Sequence, residues 1–142
     1  MFTGEEEAEE TAPPQEPPGL FGINDEEEPL LGLVGEITEA AAQQLALMLL
    51  SFNGGGILRP PNNPEQECDD IEFFISSNGG SVTEMFTIYD LMTLVQKRRD
   101  IATFGYGKIS SAAVPLLAAG TKGKRYMAKH ARLMLHNCSA NL

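Results

Sequence analysis

Ile71-Glu72-Phe73-Phe74-Ile75-Ser76-Ser77-Asn78-Gly79-Gly80-Ser81-Val82-Thr83-Glu84 decides how this chain is read. Its first five residues are aromatic or β-branched apart from Glu72, which predicts a strand over Ile71–Ile75. The polar Ser76–Gly80 stretch predicts a turn. Ser81 followed three residues later by Glu84 predicts a capped helix start. Met85, Ile88, Tyr89, Met92 and Val95 then recur at helical spacing, and Lys97-Arg98-Arg99 falls where the helix dipole favours cations. Strand, glycine turn and helix in that order make one crossover unit.

The same alternation extends both ways. Leu30–Val34 reads as a short buried strand, and the spacing of Ile37, Ala41, Leu45, Met48, Leu49 and Phe52 predicts a helix over 37–52. Asn53-Gly54-Gly55-Gly56 ends it, and Pro60-Pro61-Asn62-Asn63-Pro64 marks a long connection up to Asp70. Downstream, Ile101–Tyr106 reads as a strand and Ser110–Ala119 as a small-residue helix closed by Gly120. Lys124–Met127 and Arg132–His136 read as two short strands. The expected fold class is α/β, built of crossover units.

Charge divides the 142 residues into two parts. Residues 1–29 hold ten acidic residues and no Lys or Arg, so they account for the whole net charge of −10. With Pro13-Pro14 and Pro17-Pro18 among them, residues 1–29 are expected to be a largely disordered acidic tail, of which residues 1–19 are dispensable for folding. Residues 30–142 are neutral overall and are expected to form one domain. An acidic tail repels nucleic acid and anionic membrane. No stretch approaches the ~20 apolar residues of a membrane span. Cys68 and Cys138 lie far apart without metal-ligand spacing, so neither metal nor cofactor is expected, and a reducing, cytoplasmic setting is. Gly120-Thr121-Lys122-Gly123-Lys124 only superficially suggests a phosphate loop, because Ala118 and Arg125 stand where that pattern requires Gly and Ser or Thr.

Ser111, in Gly107-Lys108-Ile109-Ser110-Ser111-Ala112-Ala113, sits between a strand-like and a helix-like segment, with small neighbours leaving its hydroxyl open. His136 ends the apolar run Leu133-Met134-Leu135. A serine and a histidine brought together form the nucleophile and base of an acyl-transfer site. Taken singly, a serine at a helix start is usually a cap, and a histidine after an apolar run is usually satisfied by backbone. Gly79-Gly80 before a capped helix offers N–H groups to an anion.

Together these blocks resemble the proteolytic subunit of the ATP-dependent Clp proteases. The resemblance runs through Ile75–Gly80, Ile88-Tyr89-Asp90, Gly107–Ser111, Leu116–Gly120, Lys122–Arg125 and Ala131–His136. It implies a ClpP/crotonase-like fold of repeated β-β-α units and a serine endopeptidase acting on unfolded polypeptides. Ser111 would be the nucleophile, His136 the general base, and Gly80 and Ala112 the backbone donors of the oxyanion hole. Gly79, Gly80, Ser81 and Val82 would line the substrate. Heptameric rings of this chain and an AAA+ unfoldase would be its partners.

The chain departs from the family at Asn78, which replaces Pro, and at Asn137-Cys138, which replace Gln-Pro. The family continues beyond a point equivalent to Leu142 into a handle helix and the triad Asp. A partial or shortened chain with weak peptidase activity of its own is therefore expected. Asp90 and Asp100 would be the first carboxylates to test as substitutes for that Asp. A non-catalytic ring subunit and a crotonase-like acyl-CoA enzyme are the alternatives. Retention of both Ser111 and His136 argues against the former and the missing Asp argues for it, while the 25-residue Ser–His pairing argues against the latter.

Overall fold

The computed structural model describes residues 29–53 and 69–137. The expectations for the acidic tail, for the connection 54–68 and for both cysteines lie outside these residues. Among the described residues eight elements follow in order: β1 (Leu30–Ile37), α1 (Glu39–Phe52), β2 (Ile71–Gly80), α2 (Val82–Val95), β3 (Ile101–Ser110), α3 (Ala113–Ala118), β4 (Arg125–Met127) and β5 (Arg132–Met134). Every strand pair is parallel, in the order β1-β2-β3-β4. β4 lies against Thr103–Gly105, and β5 lies farther along β3, against Lys108–Ser110. This is the α/β alternation expected from the sequence.

The core forms between one sheet face and the helices. Leu31, Leu33, Phe73, Ile75 and Ile101 meet Leu45, Leu49, Ile88, Met92 and Leu116, all nearly or wholly buried. Burying each large side chain contributes about 1.5–3 kcal/mol. Aromatic rings stack across the strands as well, Phe74 on Phe104 at 5.2 Å and Phe104 on Tyr126 at 5.0 Å.

Element ends differ from the sequence-based expectation for physical reasons. Ile37 is the buried last residue of β1 rather than a helical residue, and Thr38 caps α1 by accepting the Ala41 N–H at 3.2 Å. The capping box at Ser81 is half used. Its hydroxyl accepts the Glu84 N–H, but its own N–H donates to Ile37 O at 3.0 Å, stitching β1 to β2. Tyr89 turns outward from the otherwise buried stripe of α2. Arg98 and Arg99 lie past the end of α2 and donate instead to Asn53 O and Phe52 O, so the helix dipole they complement is that of α1. Pro115 is the third residue of α3, where its missing N–H needs no helical partner.

Two register shifts lie near the C-terminal ends of the central strands. β2 carries one extra residue between Ser76 and Gly79 relative to β1. β3 carries two extra between Gly105 and Ile109 relative to β2, so exposed Tyr106-Gly107-Lys108 arches out. Such bulges re-aim the backbone beyond them. Both strands therefore run farther than predicted, β2 through Gly80 and β3 through Ser110.

At the opposite end, Lys124 Nζ bonds both Asp70 and Asp100, tying together the starts of β2, β3 and β4. These two hydrogen bonds, Asp100 first and Asp70 second, raise the Lys124 pKa above its ordinary 10.5. The folded value exceeds the unfolded one, so the stabilisation is complete below about pH 10.5 and disappears as pH rises through the folded pKa. Lys124→Gln should therefore lower the thermal midpoint slightly at about pH 8, the exposed pair being screened. The gap to wild type should narrow as pH rises from there to above 10.5. A gap that stayed constant across that range would show that the lysine acts through packing instead.

Candidate active site

The nucleophile candidate lies at the expected strand-to-helix turn, whose backbone geometry is unusual. Ser110 is still in β3, and α3 begins only at Ala113. Ser111 between them has φ +55°, the only positive φ of a non-glycine among the described residues. An L-residue there costs about 1–2 kcal/mol, so the surroundings must hold it. The Ser111 N–H donates to Met134 O in β5 at 3.0 Å, and Ser111 O accepts the Val114 N–H at 3.0 Å. Its hydroxyl does not cap α3. The usual structural role of a serine at a helix start is therefore absent, and the half-buried side chain stands at a sharp strand-to-helix turn. A nucleophilic serine is presented in this way on strand-to-helix elbows.

The far end of α3 is fixed by side chains. Thr103 donates to Leu117 O at 2.7 Å, Gln96 to Ala119 O at 2.6 Å and Arg125 to Ala118 O at 3.1 Å. The helix behind Ser111 is thereby anchored to α2, β3 and β4.

Gly79 and Gly80 bring backbone against backbone. A Cβ on Gly79, at φ +91°, would lie 2.7 Å from Ser110 O, 2.8 Å from Ser111 Cβ and 3.0 Å from Ala112 N. A Cβ on Gly80, at φ +146°, would lie 2.5 Å from Ile37 O. Gly79 thus permits contact with the nucleophile turn, and Gly80 permits contact with β1. The Gly79 N–H is taken by Ser77 Oγ at 3.0 Å, and the Ser81 N–H by Ile37 O. The Ala112 N–H has no acceptor among the described residues, although Ala112 is only 6% exposed. A buried donor without a partner is costly, and here it lies beside a serine hydroxyl. Within the stretch expected to line substrate, extended backbone ends at Ser81, and exposed Val82 opens α2.

His136 reaches this end of the sheet through β5. The β3–β5 register pairs Ser110 with Met134, and the Ser111–Met134 bond continues the ladder two residues short of His136. The ring is exposed, with Nδ1 2.8 Å from Asn137 O. In the tautomer carrying a proton on Nδ1, that carbonyl accepts it and Nε2 keeps its lone pair. Backbone pairing places His136 two residues beyond the one that Ser111 bonds, and no hydrogen bond joins their side chains among the described residues.

Asp100 does not fit as an orienting acid. It precedes β3, whose ten residues separate it from Ser111 by roughly 30 Å at the usual rise, and it is bound to Lys124. Asp70 is engaged in the same way, and Asp90 is exposed on α2. Among the described residues no three His, Cys, Asp or Glu converge as metal ligands, and no helix is long and apolar enough to cross a membrane.

Known proteins match this architecture. The family model described as Clp protease matches residues 30–142. An ATP-dependent Clp protease proteolytic subunit 1 from Corynebacterium jeikeium is 37% identical over 115 residues, covering 81% of this chain and 55% of that protein. A subunit 2 from Bifidobacterium longum is 45% identical over 78 residues, covering 55% of this chain and 37% of that protein. The crystal structure of the ClpP protease catalytic domain from Plasmodium falciparum superposes with TM-score 0.64 at 29% identity, covering 79% of this chain and 56% of the other. The chain thus spans about half or less of the length of these curated relatives.

Proposed function

The chain belongs to the Clp protease family, and from that premise we propose that it serves as a proteolytic subunit of a Clp-type serine endopeptidase. Ser111 Oγ attacks the substrate carbonyl while His136 Nε2 takes its proton. The N–H groups of Ala112 and Gly80 stabilise the oxyanion, and His136 returns the proton to the leaving amine. Water, activated by the same imidazole, then releases the acyl group from Ser111. Extended polypeptide lies along Gly79–Val82 and the chain near His136. Self-assembly into heptameric rings, delivery of unfolded substrate by an AAA+ unfoldase and a cytoplasmic setting belong to this reading, carried by family membership. The crotonase-like alternative is not favoured by matches to Clp proteases.

The observation that carries the catalytic assignment is the strained Ser111 turn beside the unpartnered Ala112 N–H. A fluorophosphonate probe applied to the assembled protein should modify Ser111, as located by peptide mapping. Modification of another residue, or none under conditions that label a known serine peptidase, would remove Ser111 from this role and favour the non-catalytic ring subunit.

A further inference from the structure

We propose that Ser77 is a positioning residue for the oxyanion site: its buried hydroxyl holds Gly79, and through Gly79 the turn that carries Ser111 and Ala112. The inference rests on the reading of Ser111 as nucleophile given above.

Ser77 is 0% exposed, an unusual place for a serine, and its oxygen accepts the Gly79 N–H at 3.0 Å. This is a short side-chain-to-backbone turn of the kind that fixes local conformation. It falls where β2 gains its extra residue against β1. On the other side Ser77 pairs with Ile109 of β3, two residues before Ser111. Gly79, the group so held, has φ +91° and would meet Ser110 O, Ser111 Cβ and Ala112 N within 2.7–3.0 Å if it carried a Cβ.

Two consequences combine. Consuming the Gly79 N–H internally removes a competing donor from the mouth of the site. Fixing Gly79 sets the direction of the following peptide, whose N–H belongs to Gly80. It also sets the wall against which the Ser111 turn rests. The hydroxyl touches neither substrate nor the reacting atoms, so its effect is on geometry at the transition state rather than on binding of the ground state. Donors to a developing oxyanion must be in place before charge appears, and displacing one weakens that stage selectively.

Ser77→Ala keeps the side-chain volume nearly constant and removes only the acceptor, while Ser77→Thr retains an oxygen. Peptide hydrolysis by the intact assembled protein would be measured for both, with active sites counted by fluorophosphonate titration. Affinity for a peptide aldehyde, which forms a hemiacetal oxyanion on serine, would be compared with affinity for the matching peptide alcohol. Ser77→Ala should lower kcat per titrated site by roughly 10–100-fold, with KM within about twofold. Aldehyde affinity should fall by a similar factor and alcohol affinity should stay unchanged. Ser77→Thr should recover most of the loss. Wild-type kcat in Ser77→Ala would overturn the proposal, and so would an equal fall in aldehyde and alcohol affinity, which marks general damage. Poor recovery in Ser77→Thr counts against it if the thermal midpoint of that variant matches wild type. If it does not, the aldehyde-to-alcohol ratio of Ser77→Ala decides. Failure of wild type to prefer the aldehyde or to label at Ser111 would instead bring down the nucleophile assignment, and this proposal with it.

Discussion

Ser111→Gly should abolish peptide hydrolysis while raising the thermal midpoint. Loss of the nucleophile in a serine peptidase of this mechanism lowers turnover by about 10⁶-fold. The stability gain comes from φ +55° at Ser111. An L-residue in that region costs about 1–2 kcal/mol and glycine does not. Glycine gives back roughly 0.4–1 kcal/mol through the greater freedom of the unfolded chain. The net gain is about 0.5–1 kcal/mol, roughly 2–6 °C for a domain of this size. Ser111→Ala removes the same hydroxyl but keeps the Cβ and hence the strain. It should be as inactive as the glycine variant and melt below it. Calorimetry on both variants provides the check. An alanine variant at least as stable as the glycine variant would mean that the turn is unstrained.

Gly79→Ala should cost about 2–4 kcal/mol and nearly eliminate labelling of Ser111. Part of the cost is backbone: alanine at a positive φ is destabilising. The larger part is contact, since the new methyl would fall 2.7–3.0 Å from Ser110 O, Ser111 Cβ and Ala112 N, two of which are backbone atoms that cannot swing aside. Relief requires the two turns to separate, and Ser111 moves with one of them. Misplacement of about 1 Å at a reacting centre costs about 100-fold. Gly35→Ala separates the two causes. Gly35 has φ +95° but nothing within 4 Å of an added Cβ. It should lose only about 1 kcal/mol and label Ser111 at the wild-type rate. Equal loss of labelling in both variants would show that destabilisation alone, not displacement of the turn, explains the Gly79 result.

The alternation of strands and helices was legible because it rests on side-chain periodicity. Met85, Ile88, Met92 and Val95 recur at helical spacing and are all buried. The ends of elements were not legible where backbone overrides pattern. Ser76–Gly80 is rich in turn residues, yet it remains strand because β1 and β3 flank it with hydrogen-bonding edges that local composition does not encode. Ile37 satisfies a helical stripe and a strand face equally, and Thr38 settles the matter by capping. At the site, Ser111 and His136 could be singled out as candidates from residue type and order. The positive φ of Ser111, the β5 ladder that holds it and the seat of Gly79 on the nucleophile turn could not be read. Each depends on segments far apart in sequence. One signal was present and went unused: Ser77, two residues before a glycine, is a common pattern for a side chain closing a turn on backbone.

The ladder under Ser111 also has a consequence in time. A ribosome releases the proposed nucleophile before the strand that supports it, because Met134 follows Ser111 by roughly two dozen residues, about 1–5 s of synthesis at ordinary rates. The described strands all pair in parallel, so none of them meets β3 through a hairpin that could offer a substitute partner earlier. Until β5 emerges, the Ser111 N–H lacks the acceptor that helps to hold its positive φ, and the histidine has not yet been translated. On the proposed mechanism, a nascent chain would carry its serine past its own freshly made, unfolded neighbours without the means to cut them. Strand order acts here as a delay.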